Sequence, residues 1–66
     1  MFDGERLRLF RERAEYSQEY LARKIGVTTK TYQNYENRVT APTANTLLKL
    51  AKMLSVGLND FYGGDE

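Results

Sequence analysis

The 66-residue sequence contains no cysteine and no histidine. Disulfide staples and the usual zinc sites are therefore excluded. So are the common nucleophile–base pairs of covalent catalysis. The lack of cysteine fits a reducing compartment, and a cytoplasmic location is expected. No apolar run approaches the ~20 residues of a membrane span, so no membrane partner is expected. Met1-Phe2-Asp3-Gly4-Glu5 lacks the charged and apolar regions of a signal peptide. The glycines build no phosphate-cradling loop, because Gly57, Gly63 and Gly64 lack a strand–loop–helix setting. A chain this short also has little room for a substrate pocket. Neither catalysis nor a bound metal or cofactor is expected.

Net charge is only +1, which argues against a polybasic tail or purely electrostatic nucleic-acid binding. Its distribution is uneven. Between Tyr20 and Ala41 stand Arg23, Lys24, Lys30 and Arg38 against Glu36 alone, whereas the stretch from Asp60 to Glu66 is purely acidic. One basic face on a balanced molecule follows.

Residues 1–66 read as one domain, and a domain of this size buries only about 60% of its unfolded surface. Residues 5–14 predict a first helix. Leu7, Phe10, Arg11 and Ala14 fall at i, i+3, i+4 and i+7, with Asp3 as N-cap and Arg8–Glu12 as an exposed i, i+4 pair. Arg11 is out of place on this apolar stripe. Either its stem reaches out to water or its guanidinium meets a buried carboxylate. Ser17 caps a second helix whose inward residues are Leu21, Ala22 and Ile25, and Gly26 ends it. Thr28 caps a third helix running to about Asn37. Residues 38–43 form a loop with the sole proline, Pro42. Thr43 caps a fourth helix with the stripe Leu47, Leu50, Ala51 and Leu54. Leu58 to Tyr62 forms a last short helical turn, and residues 63–66 are expected to fray.

The third helix carries the functional signal. At about 100° per residue, Tyr32, Tyr35, Glu36 and Thr28 share one side. Lys30, Gln33, Asn34 and Asn37 share the other, with Thr29 at its edge. These are the residue types that read base edges: amides pair with adenine, lysine with guanine, and threonine methyls with thymine. A merely solvated face also carries Lys, Gln and Asn, but such a face favours Glu and Ala, which are absent here. The helix from Ser17 to Gly26 has the length needed to straddle a DNA backbone ahead of a reading helix.

The sequence resembles the phage repressor and Cro type of helix-turn-helix family, often called the Xre family. The resemblance rests on Arg6-Leu7-Arg8, Phe10-Arg11, Tyr16-Ser17-Gln18-Glu19, Leu21-Ala22, Ile25-Gly26-Val27-Thr28, Tyr32, Tyr35-Glu36, Pro42, Leu47-Leu48-Lys49-Leu50-Ala51, Leu54, Val56, Leu58 and Phe61. It covers essentially the whole chain without gaps. It implies an all-α, lambda-repressor-like bundle of five helices, with the helix-turn-helix at about residues 17–37. Thr29, Lys30 and Asn34 then match base-reading positions, with Gln33 a weaker fourth from the wheel. Thr28 lies nearby for a thymine methyl or a phosphate. Gln18 matches a residue that bonds phosphate and braces the first reading residue. Asn37 matches a phosphate contact, and Arg38 and Thr40 are further phosphate candidates. Arg11 and Glu36 match a buried ion pair.

There are departures from the family pattern. Glu15 and Arg38 stand where glycine is usual, so differently shaped turns are expected there. Ala44 replaces a larger apolar residue. Tyr20 replaces a carboxylate, either lying over the first helix or donating to a phosphate. The implied function is a sequence-specific transcriptional regulator, a repressor, acting as a homodimer on a palindromic double-stranded operator. Its half-sites would lie about 34 Å apart. Leu58, Phe61 and Tyr62 are the interface candidates, with Tyr62 favoured, because Leu58 and Phe61 are expected mainly to close the core. The alternative is an antitoxin or other protein-interaction module on the same fold, contacting a protein partner through Leu9 and Met53.

Overall fold

Each α-helix begins on a side-chain oxygen. The computed structural model describes residues 1–63, and among them are α1 (Gly4–Arg13), α2 (Gln18–Ile25), α3 (Thr29–Glu36) and α4 (Ala44–Leu54). Asp3, Ser17, Thr28 and Thr43 are the N-caps, accepting from the backbone N–H of Glu5, Tyr20, Thr31 and Thr46. These bonds satisfy donors that the helix geometry leaves orphaned.

The helices also end alike. Glu15, Gly26, Arg38 and Ser55 take the left-handed conformation, with φ of 63°, 83°, 66° and 58°. The N–H of the next residue then bonds back across the turn: Tyr16 to Arg11 O, Val27 to Ala22 O, Val39 to Asn34 O, Val56 to Ala51 O. This six-to-one bond is the Schellman closure. The turns at Glu15 and Arg38 are thus not reshaped by the missing glycines. The non-glycine residues adopt the glycine-like conformation instead.

The expected fifth helix is a single 3-10 turn, Leu58–Phe61. Its reach is set by Asp60, whose carboxylate accepts from the Gly57 N–H at 2.9 Å. Tyr62 then turns extended and forms an antiparallel bridge with Phe2. Asp3 N–H donates to Phe61 O at 2.7 Å, and Gly63 N–H to Met1 O at 3.2 Å. Gly63 is therefore held and not frayed, and the remainder of the expected tail, 64–66, lies outside the described residues.

Leu7, Leu21, Ala22, Ile25, Tyr32, Tyr35, Leu47, Leu50, Ala51, Leu54 and Phe61 form the core. All inward residues predicted for α2 and α4 are among them. The first stripe is shorter than expected: Ala14 is exposed and lies outside α1. Arg8 pairs with Glu5 at 3.6 Å, one turn earlier than the expected Glu12. Phe61 is fully buried, edge-on to Phe10 with ring centres 5.7 Å apart. It closes the core and is unavailable to a partner. Leu58 does not close the core as expected: it stands at the first position of the 3-10 turn and is exposed, while Phe61 at the last position is fully buried. Met53 is half-buried against the core and offers little to a partner, while Leu9 is exposed as expected.

α1 begins flush against the end of α3. A Cβ on Gly4 would lie 2.2 Å from the Tyr35 carbonyl oxygen and 2.6 Å from that of Glu36. Glycine is required here for close approach. This packing fixes the angle at which α3 leaves the bundle.

Candidate nucleic-acid interface

α2 and α3 are joined by Gly26, Val27 and Thr28. Gly26 turns the chain at φ 83°, and Thr28 at once starts the next helix. The Thr28 hydroxyl is fully engaged. It accepts from Thr31 N–H and donates to Thr31 Oγ1, both at 3.0 Å. Its methyl group remains for contact.

α3 divides as the wheel predicts for all but its cap. Tyr32, Tyr35 and Glu36 are buried, whereas Thr28 is exposed; Lys30 and Asn37 are exposed; Thr29, Gln33 and Asn34 are half-buried. The tyrosines hold the helix to the core, their rings edge-on at 6.2 Å. Asn34 uses its backbone carbonyl to accept from Val39 and Thr40 N–H, which ties down the loop after α3.

Glu36 is the one buried charged residue among the described residues, and it is fully partnered. Its carboxylate accepts from Arg11 Nε at 2.7 Å, Tyr32 Oη at 2.6 Å and Gln18 Nε2 at 2.9 Å. Arg11 also donates to Tyr16 O at 2.9 Å, which ties the α1–α2 connection to the same group. Of the two readings of Arg11, the buried carboxylate is the one observed. Burial alone raises the Glu36 pKa, but the bonds from Arg11, Tyr32 and Gln18 outweigh it and hold the carboxyl below its ordinary range. Burial, then the bond to ionised Glu36, pushes the Tyr32 phenol well above its ordinary value. The bond to Glu36 raises Arg11 further, against the opposing effect of burial.

Gln18 lies at the start of α2, where phosphate contact is expected, and its amide is already organised. One end donates to Glu36; the other, Oε1, accepts from Gln33 Nε2 at 3.3 Å. The brace thus goes to Gln33 and not to Thr29, the first reading residue. Thr29 carries its hydroxyl on Cβ, and among the described residues it makes no bond to Gln18. Sequence reasoning missed the Gln18–Gln33 pair. Its signal was present in two long amides on facing helices, but only the packing angle brings them together.

The phosphate candidates surround this face. Asn37 and Thr40 are exposed. Arg38 is exposed, with one nitrogen of its guanidinium tied to Asp3 at 3.1 Å and 4.0 Å from Glu5. Tyr20 is half-buried, its ring 5.1 Å from that of Tyr16 and 5.5 Å from the Lys24 ammonium. The exposed cations Arg23 and Lys24 extend along α2. On another side, Pro42, Ala44, Leu47, Leu48, Leu58 and Tyr62 line an apolar groove of about 240 Å³. The small side chain of Ala44 helps to leave it open.

Residues 7–61 match the family model described as helix-turn-helix. The chain is 35% identical over 63 residues to the HTH-type transcriptional regulator ImmR of Bacillus subtilis, covering 96% of this chain and 50% of that protein. It thus spans about half the length of this curated relative. Among solved structures, the P22 c2 repressor protein in complex with a synthetic operator superposes with a TM-score of 0.86 at 29% identity, covering 98% of both chains. The N-terminal DNA binding domain of SinR from Bacillus subtilis gives a TM-score of 0.79 at 26% identity, over 96% of this chain and 94% of that one.

Proposed function

The chain belongs to the helix-turn-helix family, and from that premise we propose that it is a sequence-specific DNA-binding transcriptional regulator, a repressor, that inserts α3 into the major groove. The observation that carries this reading is the outer face of α3. It presents Lys30, Gln33 and Asn34 beside Thr29, on a helix clamped from behind by Tyr32, Tyr35 and the Arg11–Glu36 pair. Side chains that form directional bonds to base edges are useful only if the helix beneath them is fixed. Lys30 is assigned to guanine and Asn34 to adenine. Gln18, Asn37, Arg38 and Thr40 are assigned to phosphates, with the Thr28 methyl and the Tyr20 hydroxyl at the margins.

The second part of the proposal is a homodimer on a palindromic operator. The groove by Pro42 supports it, because Leu48, Leu58 and Tyr62 are large, apolar and exposed around it. Phe61 has no part in it. The relatives are a transcriptional regulator, a repressor and a DNA binding domain, which favours regulation over an antitoxin role. A cytoplasmic site of action is part of the same reading, and among the described residues no helix is long and apolar enough to cross a membrane.

The test is an anisotropy titration against the chain's own upstream region and random duplex at ~150 mM salt. Preferred binding to one sequence is expected. Lys30→Ala and Asn34→Ala should each cost about 1–3 kcal/mol at one base pair only. Equal binding to every duplex would sink the proposal.

A further inference from the structure

Glu36 bears on more than the core. A carboxylate has acceptors only, so the one end of the Gln18 amide that can face it is the NH2. That is the end it receives, at 2.9 Å. The Gln18 carbonyl must then point away, toward Gln33. A carbonyl is also an acceptor only, so Gln33 has to offer its own NH2, and does so at 3.3 Å. The Gln33 carbonyl is thereby turned to the opposite side. A glutamine in open solvent presents either end, since its oxygen and nitrogen differ little in shape. Here a buried charge two hydrogen bonds away selects one end. Gln33 stands on the α3 face that also carries Lys30 and Asn34.

We propose that Glu36, acting through Gln18, fixes the polarity of Gln33 so that its carbonyl oxygen reads a base bearing an exocyclic amino group in the major groove. Adenine and cytosine carry such a donor there; guanine O6 and thymine O4 would set two acceptors face to face. One Gln33 N–H is spent on Gln18 and the second stays free, so adenine, with N7 beside its amino group, is the better match. Gln33 is then a specificity-determining residue, and Gln18 and Glu36 are positioning residues. This rests on the proposed function and deepens it: reading depends on a relay that starts in the core at Arg11 and Tyr32.

The experiment selects duplexes from a random library with the full chain. It then measures competition at each base pair of the selected site. Wild type is expected to prefer adenine, or secondarily cytosine, at one pair per half-site. Gln33→Ala should lower that preference about tenfold and leave the pairs read by Lys30 and Asn34 unchanged. Gln18→Met keeps length but removes both hydrogen-bonding ends. A residue that only touches phosphate would weaken all duplexes alike; the relay requires relaxed preference at the Gln33 pair as well. Glu36→Gln, with its fold checked by circular dichroism, should relax the same pair. Gln18→Met decides the question on a chain whose core charge is intact. Three results overturn the inference alone: guanine or thymine preferred at that pair, no pair altered by Gln33→Ala, or only uniform weakening by Gln18→Met. A wild type with no preference anywhere overturns the function itself, and this inference with it.

Discussion

Glu15 and Ser55 hold a conformation that costs an L-residue roughly 1–2 kcal/mol. Their φ values are 63° and 58°, and both side chains are exposed. Replacing either by glycine removes that strain but adds freedom to the unfolded chain. The expected net gain is up to about 1 kcal/mol each, which for a domain of this size raises Tm by about 4–8 °C. Thermal melts of Glu15→Gly and Ser55→Gly measure it; an unchanged or lower Tm refutes the strain. Arg38 also has a positive φ, but its side chain holds Asp3, so its replacement mixes two effects. The Glu36 carboxyl sits below its ordinary value in the folded state, so its contribution is fully present above the usual carboxylate range. It is lost as pH falls through the lower folded value. Tyr32 is raised, so its contribution is present below the usual phenol range, near pH 10, and is lost as pH rises beyond it. Urea midpoints should therefore fall at both ends; Tyr32→Phe should flatten the alkaline limb and, because it removes one of the bonds that hold Glu36 low, shrink the acid limb as well.

At the scale of elements, the contacts of α3 with α1 and α2 set the reading face. The Gly4 approach leaves no space for a methyl group, because the obstacles are backbone oxygens at 2.2 and 2.6 Å, which cannot rotate away. Gly4→Ala should therefore destabilise by about 1–3 kcal/mol, the usual cost of overpacking. It should also tilt α3, so the loss of specific DNA affinity should exceed the loss of folded fraction. Arg11→Met leaves Glu36 buried with less compensation and should cost about 3–5 kcal/mol. A small domain has little more than that to lose. Denaturant titration of both variants gives the values; an Arg11→Met midpoint within error of wild type would show that the pair is dispensable.

At the scale of the molecule, the two ends of the described chain meet. The Phe2–Tyr62 bridge and the bond from Asp3 N–H to Phe61 O place Tyr62 at the surface beside the Pro42 groove. The bonds of that bridge run between the backbones of the flanking residues, Asp3 to Phe61 and Gly63 to Met1, so a change of the Tyr62 side chain spares them. Tyr62→Glu is expected to preserve the fold and binding to a single half-site. Affinity for a two-half-site operator should fall on the order of 100-fold, as the avidity of a linked pair is lost. Fluorescence anisotropy on both duplexes checks this, and an equal effect on each would place Tyr62 outside any dimer contact.

Features that rest on short-range chemistry were legible before any fold was known. The caps Asp3, Ser17, Thr28 and Thr43 act on N–H groups two or three residues away, and the inward stripes of α2 and α4 follow from helical pitch. The misplaced polarity of Arg11 and Glu36 pointed to each other through the wheel and the family pattern. The rest needed the tertiary structure, because it depends on parts that meet only after packing. The bridge at Phe2 and Tyr62, the approach of Gly4 to Tyr35 and the outward turn of Leu58 carry no local signal. Nor does the partner of Gln18. A glutamine can bond with either end, and only the fixed angle between α2 and α3, with a carboxylate behind it, decided which end faced Gln33.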